Sequence, residues 1–224
     1  MSLPLHVHGG YPSYKEMGTA WDTADWNAFK FAKALKGEPI TGYANIKTVG
    51  GGWTKISAEN PKPAFAIFGA WAGSIIKAAG IDAAYVIPVP GSQCVAFDTD
   101  VKGRRLCEAI ARHHPGVTAD EAFHWSEAME PAHKGGPRRK SELVPKLIIW
   151  DAMPKDRPVI LVDDVATLHG HMKACAQVMR DHGHEVVLAL AGAQTVHERP
   201  EHGMFNFPAI DLDAPEPDPF AGWG

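Results

Sequence analysis

Two adjacent aspartates, Asp163 and Asp164, close the apolar run Val159–Val162 in the stretch VILVDDVATLHGHM. Neighbouring carboxylates repel, and burying either one unpaired is expensive. A doublet at a strand end is therefore either solvated or holds a ligand. Directly after it comes a short loop carrying Thr167 and Gly170, the latter between His169 and His171. Amides at the start of a following helix favour an anion, most often phosphate. Gly170 allows close backbone approach, and Thr167 offers a hydroxyl. Carboxylates beside a phosphate cradle suit a ligand with both hydroxyls and a phosphate, such as a ribose 5-phosphate group.

The elements that must position these residues are legible in part. The helix beginning near His171 turns Met172, Cys175, Ala176 and Met179 inward, Gly183 stops it, and EVVLALAGA supplies the next strand. A strand, helix and strand with a crossover of this length form a parallel pair. Upstream, Phe65, Phe68, Ala72, Ile75, Ile76 and Ala79 recur at helical spacing and Gly80 closes that helix. AAYVIPVPG then reads as a short buried strand, and VKGRRLCEAIARHH as an amphipathic helix. TADWNAFKFAKALKG predicts a helix with a Thr or Asp cap and a stop at Gly37, and IKTVGGGWTKI a glycine-broken strand pair or loop. Residues 126–141 show no periodicity and read as a basic loop. The acid- and proline-rich tail from Asp211 is expected to pack loosely or not at all.

Composition narrows the classes. The chain has 224 residues, 45% of them hydrophobic and 21% charged, as in an ordinary globular protein. Its formal charge of −4 argues against a general nucleic-acid binder. No apolar run reaches the roughly 18 residues of a membrane span, and the N-terminus lacks the pattern of a signal peptide. The three cysteines form no close pair. The expectation is a cytoplasmic protein with reduced thiols and neither membrane nor nucleic acid as partner.

Rival readings of the doublet are weaker. A Walker B strand needs a phosphate-binding G-x-x-x-x-G-K-[ST], which occurs nowhere in the sequence. A receiver-type acidic pocket would come early in its fold. A helix cap accounts for one aspartate but not for two. Among twelve histidines, His6/His8, His169/His171 and His182/His184 repeat a spacing of two, which on a strand puts both rings on one face. No carboxylate or cysteine partner stands out, so no metal site is assigned, and His6 and His8 are expected to be exposed. Trp125 and Trp150 are expected in the core.

VILVDDVATLHGHM resembles the phosphoribosyl-pyrophosphate (PRPP) motif of type I phosphoribosyltransferases: four apolar residues, two acids, two apolar residues, then a hydroxyl-rich loop with glycine. ACAQVMRDHGHEVVLALAG matches the family's next helix, Arg-x-x-Gly turn and strand. AYVIPVPGS is similar to the strand and pyrophosphate loop of the competence-associated branch, and FAKALKG to a helix preceding the core there. The resemblance covers roughly residues 63–195. It implies an α/β fold, a doubly wound and mainly parallel sheet of about five strands, with an N-terminal extension or hood over residues 1–62, a core over 63–208 and a tail over 209–224.

The resemblance also implies roles. Asp163 and Asp164 would bind the ribose hydroxyls and steady positive charge at the anomeric carbon. Val165, Ala166, Thr167, Leu168, His169, Gly170 and His171 would hold the 5-phosphate. Pro90, Gly91 and Ser92 would lie under the pyrophosphate with Mg²⁺, which arrives with PRPP and has Asp163 as its candidate protein ligand. Lys134, Arg138, Arg139 and Lys140 would form a lid. The activity implied is phosphoribosyl transfer to a nitrogen nucleophile in nucleotide metabolism, and the alternative is a non-catalytic module that senses PRPP or a nucleotide. A homodimer is the expectation for the class. The sequence departs from the motif at the loop: Leu168 and His169 follow Thr167, and His171 replaces the last hydroxyl. Either the loop is one residue longer, or His169 takes the glycine's place, where positive φ is required. Asp98 and Asp100 also stand after the pyrophosphate loop, where cations would help more.

Overall fold

The structure, a computed structural model, describes residues 2–14, 19–130, 136–137, 139–150 and 152–215. Its elements run β1 (Pro4–Pro12), α1 (Thr23–Leu35), β2 (Tyr43–Lys47), β3 (Trp53–Ser57), α2 (Pro63–Ala78), β4 (Ala84–Pro88), α3 (Val101–Ala111), β5 (Val117–Ala119), β6 (Phe123–Trp125), α4 (Lys140–Leu143), β7 (Leu147–Ile149), β8 (Val159–Ala166), α5 (Gly170–Asp181), β9 (Val186–Val196) and β10 (Ile210–Asp211). The central sheet has the order β10-β1-β9-β8-β4-β5. Five of its strands are parallel, and only β10 pairs antiparallel, at the β1 edge. The expected α/β class and mainly parallel sheet are what the chain forms.

Strand alternation divides the core into two layers. Val86, Ile160, Val162, Leu188 and Leu190 face one side, where Phe31 and Leu35 of α1, Phe68 and Ile76 of α2 and Leu106 and Ile110 of α3 cover them. Tyr85, Ile87, Val159, Leu161, Ala189 and Ala191 face the other, under α5 and the β6–β7 hairpin with Trp125. Each large apolar side chain so buried contributes about 1.5–3 kcal/mol. The chain leaves β4 through α3 toward β5 on the first face and leaves β8 through α5 toward β9 on the second. The carboxyl ends of β4 and β8 are therefore the point where the winding reverses, and ligands bind at such points.

Within the stretch 1–62, β1 joins the central sheet. β1 runs the length of β9, from Leu5 opposite Ala189 to Pro12 opposite Val196. The boundary expected at residue 62 is not one the sheet respects. His6, His8 and the Gly9-Gly10 pair interrupt the apolar run that marks a covered parallel strand. His8 is not exposed: it lies buried, stacked 4.5 Å from Phe31 and edge-on to Trp71 and Phe205. The start of the tail also packs, because Leu212 is buried and Arg180 donates two hydrogen bonds to Asp213. Within the 126–141 stretch, α4 begins at Lys140. Trp150 is 41% exposed rather than core. No helix among the described residues is long and apolar enough to cross a membrane.

Candidate functional site

At the switch point a cleft of about 740 Å³ opens, lined by the ends of β1, β4, β8 and β9 and by the loops after them. β8 delivers the aspartates. Asp164 is buried and faces α1 and α3, whereas Asp163 is half-buried and lies toward α5. Lys102 Nζ donates to Asp164 Oδ2 at 2.9 Å. The Asp164 amide donates to Asp163 Oδ1 and the Val165 amide to Asp164 Oδ1, both at 2.8 Å, so the backbone fixes both carboxyls. Neither aspartate caps α5, whose cap residue is His169.

The two carboxyls titrate as one unit. Burial, and then the charge of Asp164, push Asp163 well above the usual carboxylate range. Burial presses Asp164 the same way, but the Lys102 charge and hydrogen bond, a hydrogen bond with the Asp163 side chain and the Lys36 charge together outweigh it and hold Asp164 below that range. Burial also works against the charge of Lys102, yet Asp164, Asp163 and Asp100 keep the ammonium well above the usual lysine range. The floor of the cleft thus holds an ammonium, the carboxylate paired with it and a neighbouring carboxyl that resists ionisation.

The loop over Thr167–His171 runs from β8 into α5. His169 has φ 58° and ψ 0°, while Gly170 is the first residue of α5. Of the two alternatives, histidine in the left-handed position is the one seen. The His169 cap makes no side-chain hydrogen bond, so the first turn of α5 is left with uncapped amides lining the cleft. Thr167 Oγ1 lies 3.1 Å from Thr195 Oγ1. Burial lowers the pKa of both His169 and His171, with Lys173 adding to the effect at His169. The imidazoles are therefore neutral donors or acceptors here, and His169 Nε2 is buried without a partner.

The Pro90–Ser92 loop follows β4 on the other wall. Trp125 Nε1 donates to the carbonyls of Pro90 and Gly91, 3.1 Å from each. The same indole meets the His171 ring edge-on at 5.6 Å. One buried tryptophan thus supports both loops of the cleft. Asp100, which caps α3, accepts from the amides of Gly91 at 3.0 Å and Gly103 at 2.9 Å. Its negative charge is spent on these amides rather than presented to a ligand. A Cβ on Gly103 would come 2.6 Å from Pro88 Cβ, so glycine lets α3 press against the end of β4.

No family model and no curated protein matches the sequence. Among solved structures, an adenine phosphoribosyltransferase is similar at a TM-score of 0.42 with 13% identity, over 74% of this chain and 89% of that one. The adenine phosphoribosyltransferase of Saccharomyces cerevisiae, in complex with an imino-altritol bisphosphate and adenine, is similar at 0.37 with 15% identity, over 74% and 96%. Both scores are low.

Of the expected site residues, the structure brings Asp163 to His171 and Pro90, Gly91 and Ser92 to one cleft. It does not bring Arg139 or Lys140 there. Arg139 is exposed and precedes α4, and Lys140 lines a separate depression beside Lys173 and Arg180 on α5. Lys134 and Arg138 lie outside the described residues. The sequence reading missed Lys102, Lys36, Tyr11, Ser13 and Thr195, all in the cleft wall. For Lys102 a signal existed: a lysine at the second position of a helix opposes the helix dipole, with only the cap residue Asp100 to offset it. Among the described residues no three His, Cys, Asp or Glu side chains gather around a metal. A Mg²⁺ that keeps its waters and rides on a phosphate ligand needs only one or two carboxylates. Asp163, the member of the acid pair outside the Lys102 ion pair, would meet that demand once the cation displaces its proton.

Proposed function

We propose that the cleft binds PRPP with Mg²⁺ and transfers its phosphoribosyl group to a nitrogen nucleophile. The single observation that carries this reading is the facing of the Asp163–Asp164 pair and the uncapped start of α5 across one cleft. In the reaction the bond from the anomeric carbon to pyrophosphate breaks and a bond to nitrogen forms. Positive charge grows on the sugar, and anions held beside it lower the barrier. Asp164 carries that negative charge at neutral pH. Asp163 can accept from, or donate to, a ribose hydroxyl. The amides at the start of α5 and the Thr167 hydroxyl suit the 5-phosphate. Mg²⁺ bound to the pyrophosphate would neutralise the leaving group.

A non-catalytic reading, in which the cleft senses PRPP or a nucleotide, has one observation in its favour. Arg139 and Lys140 stand away from the cleft, so the described part of the basic stretch supplies it with no lid cation. Titration calorimetry of PRPP with Mg²⁺, against wild type and the double variant Asp163→Asn/Asp164→Asn, tests the shared premise. Micromolar binding lost in the double variant is expected. No binding by folded wild type would sink both readings. Release of pyrophosphate in the presence of a panel of bases and amines then separates transferase from sensor.

A further inference from the structure

Lys102 neutralises the buried Asp164 carboxylate, yet it stands at a helix position that suits a cation poorly. It occupies the second position of α3, where the helix dipole disfavours a cation by about 0.3–1 kcal/mol, and the only acid at that helix start is the cap residue Asp100, whose carboxylate accepts from the Gly91 and Gly103 amides. Its side chain, 35% exposed, extends into the cleft and ends on the buried Asp164 carboxylate, itself 8% exposed. Residues that break a local rule without packing gain mark function more often than stability. The placement of α3 is also enforced: Asp100 ties its first turn to Gly91, and the absence of a side chain at Gly103 lets it close on Pro88. Lys102 is thereby held between the Pro90–Ser92 loop and the acid pair.

We propose that Lys102 is the diphosphate-binding residue of the cleft, and that its ion pair with Asp164 is a resting latch which the incoming diphosphate opens. The proposal rests on the PRPP reading given above. A diphosphate over Pro90–Ser92 offers the ammonium several anionic oxygens in place of one carboxylate. Transfer of Lys102 to the ligand then uncovers Asp164, leaving its charge for the sugar. One motion thus supplies the cation to the leaving group and the anion to the anomeric carbon, and before the diphosphate arrives each is paired with the other. The basic residues at 139 and 140, which the cleft does not include, are not needed for this step.

The test is calorimetric titration of the full chain with three probes: ribose 5-phosphate, inorganic pyrophosphate without metal, and PRPP with Mg²⁺. Lys102→Met is expected to weaken pyrophosphate and PRPP binding by about 10- to 100-fold, the range of a hydrogen bond to a charged group. Ribose 5-phosphate binding is expected to hold or tighten, because Asp164 is released. Lys102→Arg should restore part of the pyrophosphate affinity. Asp164→Asn, which frees the ammonium, should tighten pyrophosphate binding, and that gain should vanish in the Lys102→Met background.

The double variant Lys102→Met/Asp164→Asn leaves no unpaired charge and serves if a single variant fails to fold. Unchanged PRPP affinity in Lys102→Met would overturn the latch while leaving the PRPP reading intact. Equal losses for ribose 5-phosphate and pyrophosphate would also overturn it, since a lysine that only supports the cleft would weaken both. Failure of the wild type to bind any probe would remove the PRPP reading and the latch together.

Discussion

His169 stands in the left-handed conformation while Gly170 beside it adopts ordinary helical backbone as the first residue of α5. A non-glycine residue there costs about 1–2 kcal/mol, and glycine loses about 0.4–1 kcal/mol through its freer unfolded chain. His169→Gly is therefore expected to stabilise the protein by about 0.5–1 kcal/mol. At roughly 2–4 °C per kcal/mol, a thermal melt would detect it. Weaker phosphate or PRPP binding by this more stable variant would show that the strained imidazole is kept for its ligand. Destabilisation by the glycine would refute the strain account.

Trp125 joins two loops that are far apart in sequence, as its indole N–H donates to the Pro90 and Gly91 carbonyls and its ring meets His171. Trp125→Phe keeps an aromatic ring but removes the donor. The buried Pro90 carbonyl loses its partner, at about 1–3 kcal/mol for a group left unsatisfied, whereas the Gly91 carbonyl keeps the Cys94 amide, 2.8 Å away. The expected result is a lower melting temperature together with weaker pyrophosphate binding. Ribose 5-phosphate should suffer less, since His171 loses only a ring contact. Wild-type pyrophosphate affinity in a folded Trp125→Phe protein would show that the loop needs no such support.

Much of the sheet was legible because burial on both faces writes a simple pattern. Val159–Val162, the α5 spacing and Val186–Ala193 announce a parallel βαβ unit without ambiguity. β1 was not legible, because His6, His8 and Gly9-Gly10 interrupt its apolar run and only neighbours far along the chain, Phe31, Trp71 and Phe205, make the buried ring tolerable. The β6–β7 hairpin failed for another reason: strands of three residues are too short to show a period. At the site, the acid pair and both loops follow from local sequence. The Lys102–Asp164 pair spans 62 positions and emerges only when α3 and β8 pack.

His8 gives the protein an acid-sensitive point away from the cleft. Burial among Phe31, Trp71 and Phe205 lowers its pKa from 6.5 to about 4. The folded chain keeps the ring neutral, whereas the unfolded chain protonates it below about pH 6.5. The stability this residue contributes is therefore full above 6.5 and is lost as pH falls toward 4, a loss on the order of 3 kcal/mol. His8→Phe, which fits the aromatic cluster and cannot titrate, should flatten the melting temperature between pH 6.5 and 4. An equally steep fall in the variant would place the acid sensitivity elsewhere.

Asp163 has the opposite sign. Its folded pKa lies above the ordinary carboxylate value, so its contribution to stability is fully present below about pH 4 and is lost as pH rises through the folded pKa. At neutral pH the fold therefore works against a carboxyl that resists ionisation beside Asp164. Asp163→Asn removes that burden and leaves the Lys102–Asp164 pair in place. The variant should melt a few degrees above wild type at pH 7–8, with the gain shrinking to nothing as pH approaches 4. Asp164→Asn should instead destabilise at neutral pH, because it strands Lys102. That loss is about 1–3 kcal/mol, below the 3–5 kcal/mol of a fully buried pair because Lys102 is partly solvated. Melting curves of both variants across pH 4–8 decide the matter. Were Asp163→Asn the less stable protein at pH 7, the carboxyl would be ionised and well solvated, and the acid pair would hold two charges rather than one.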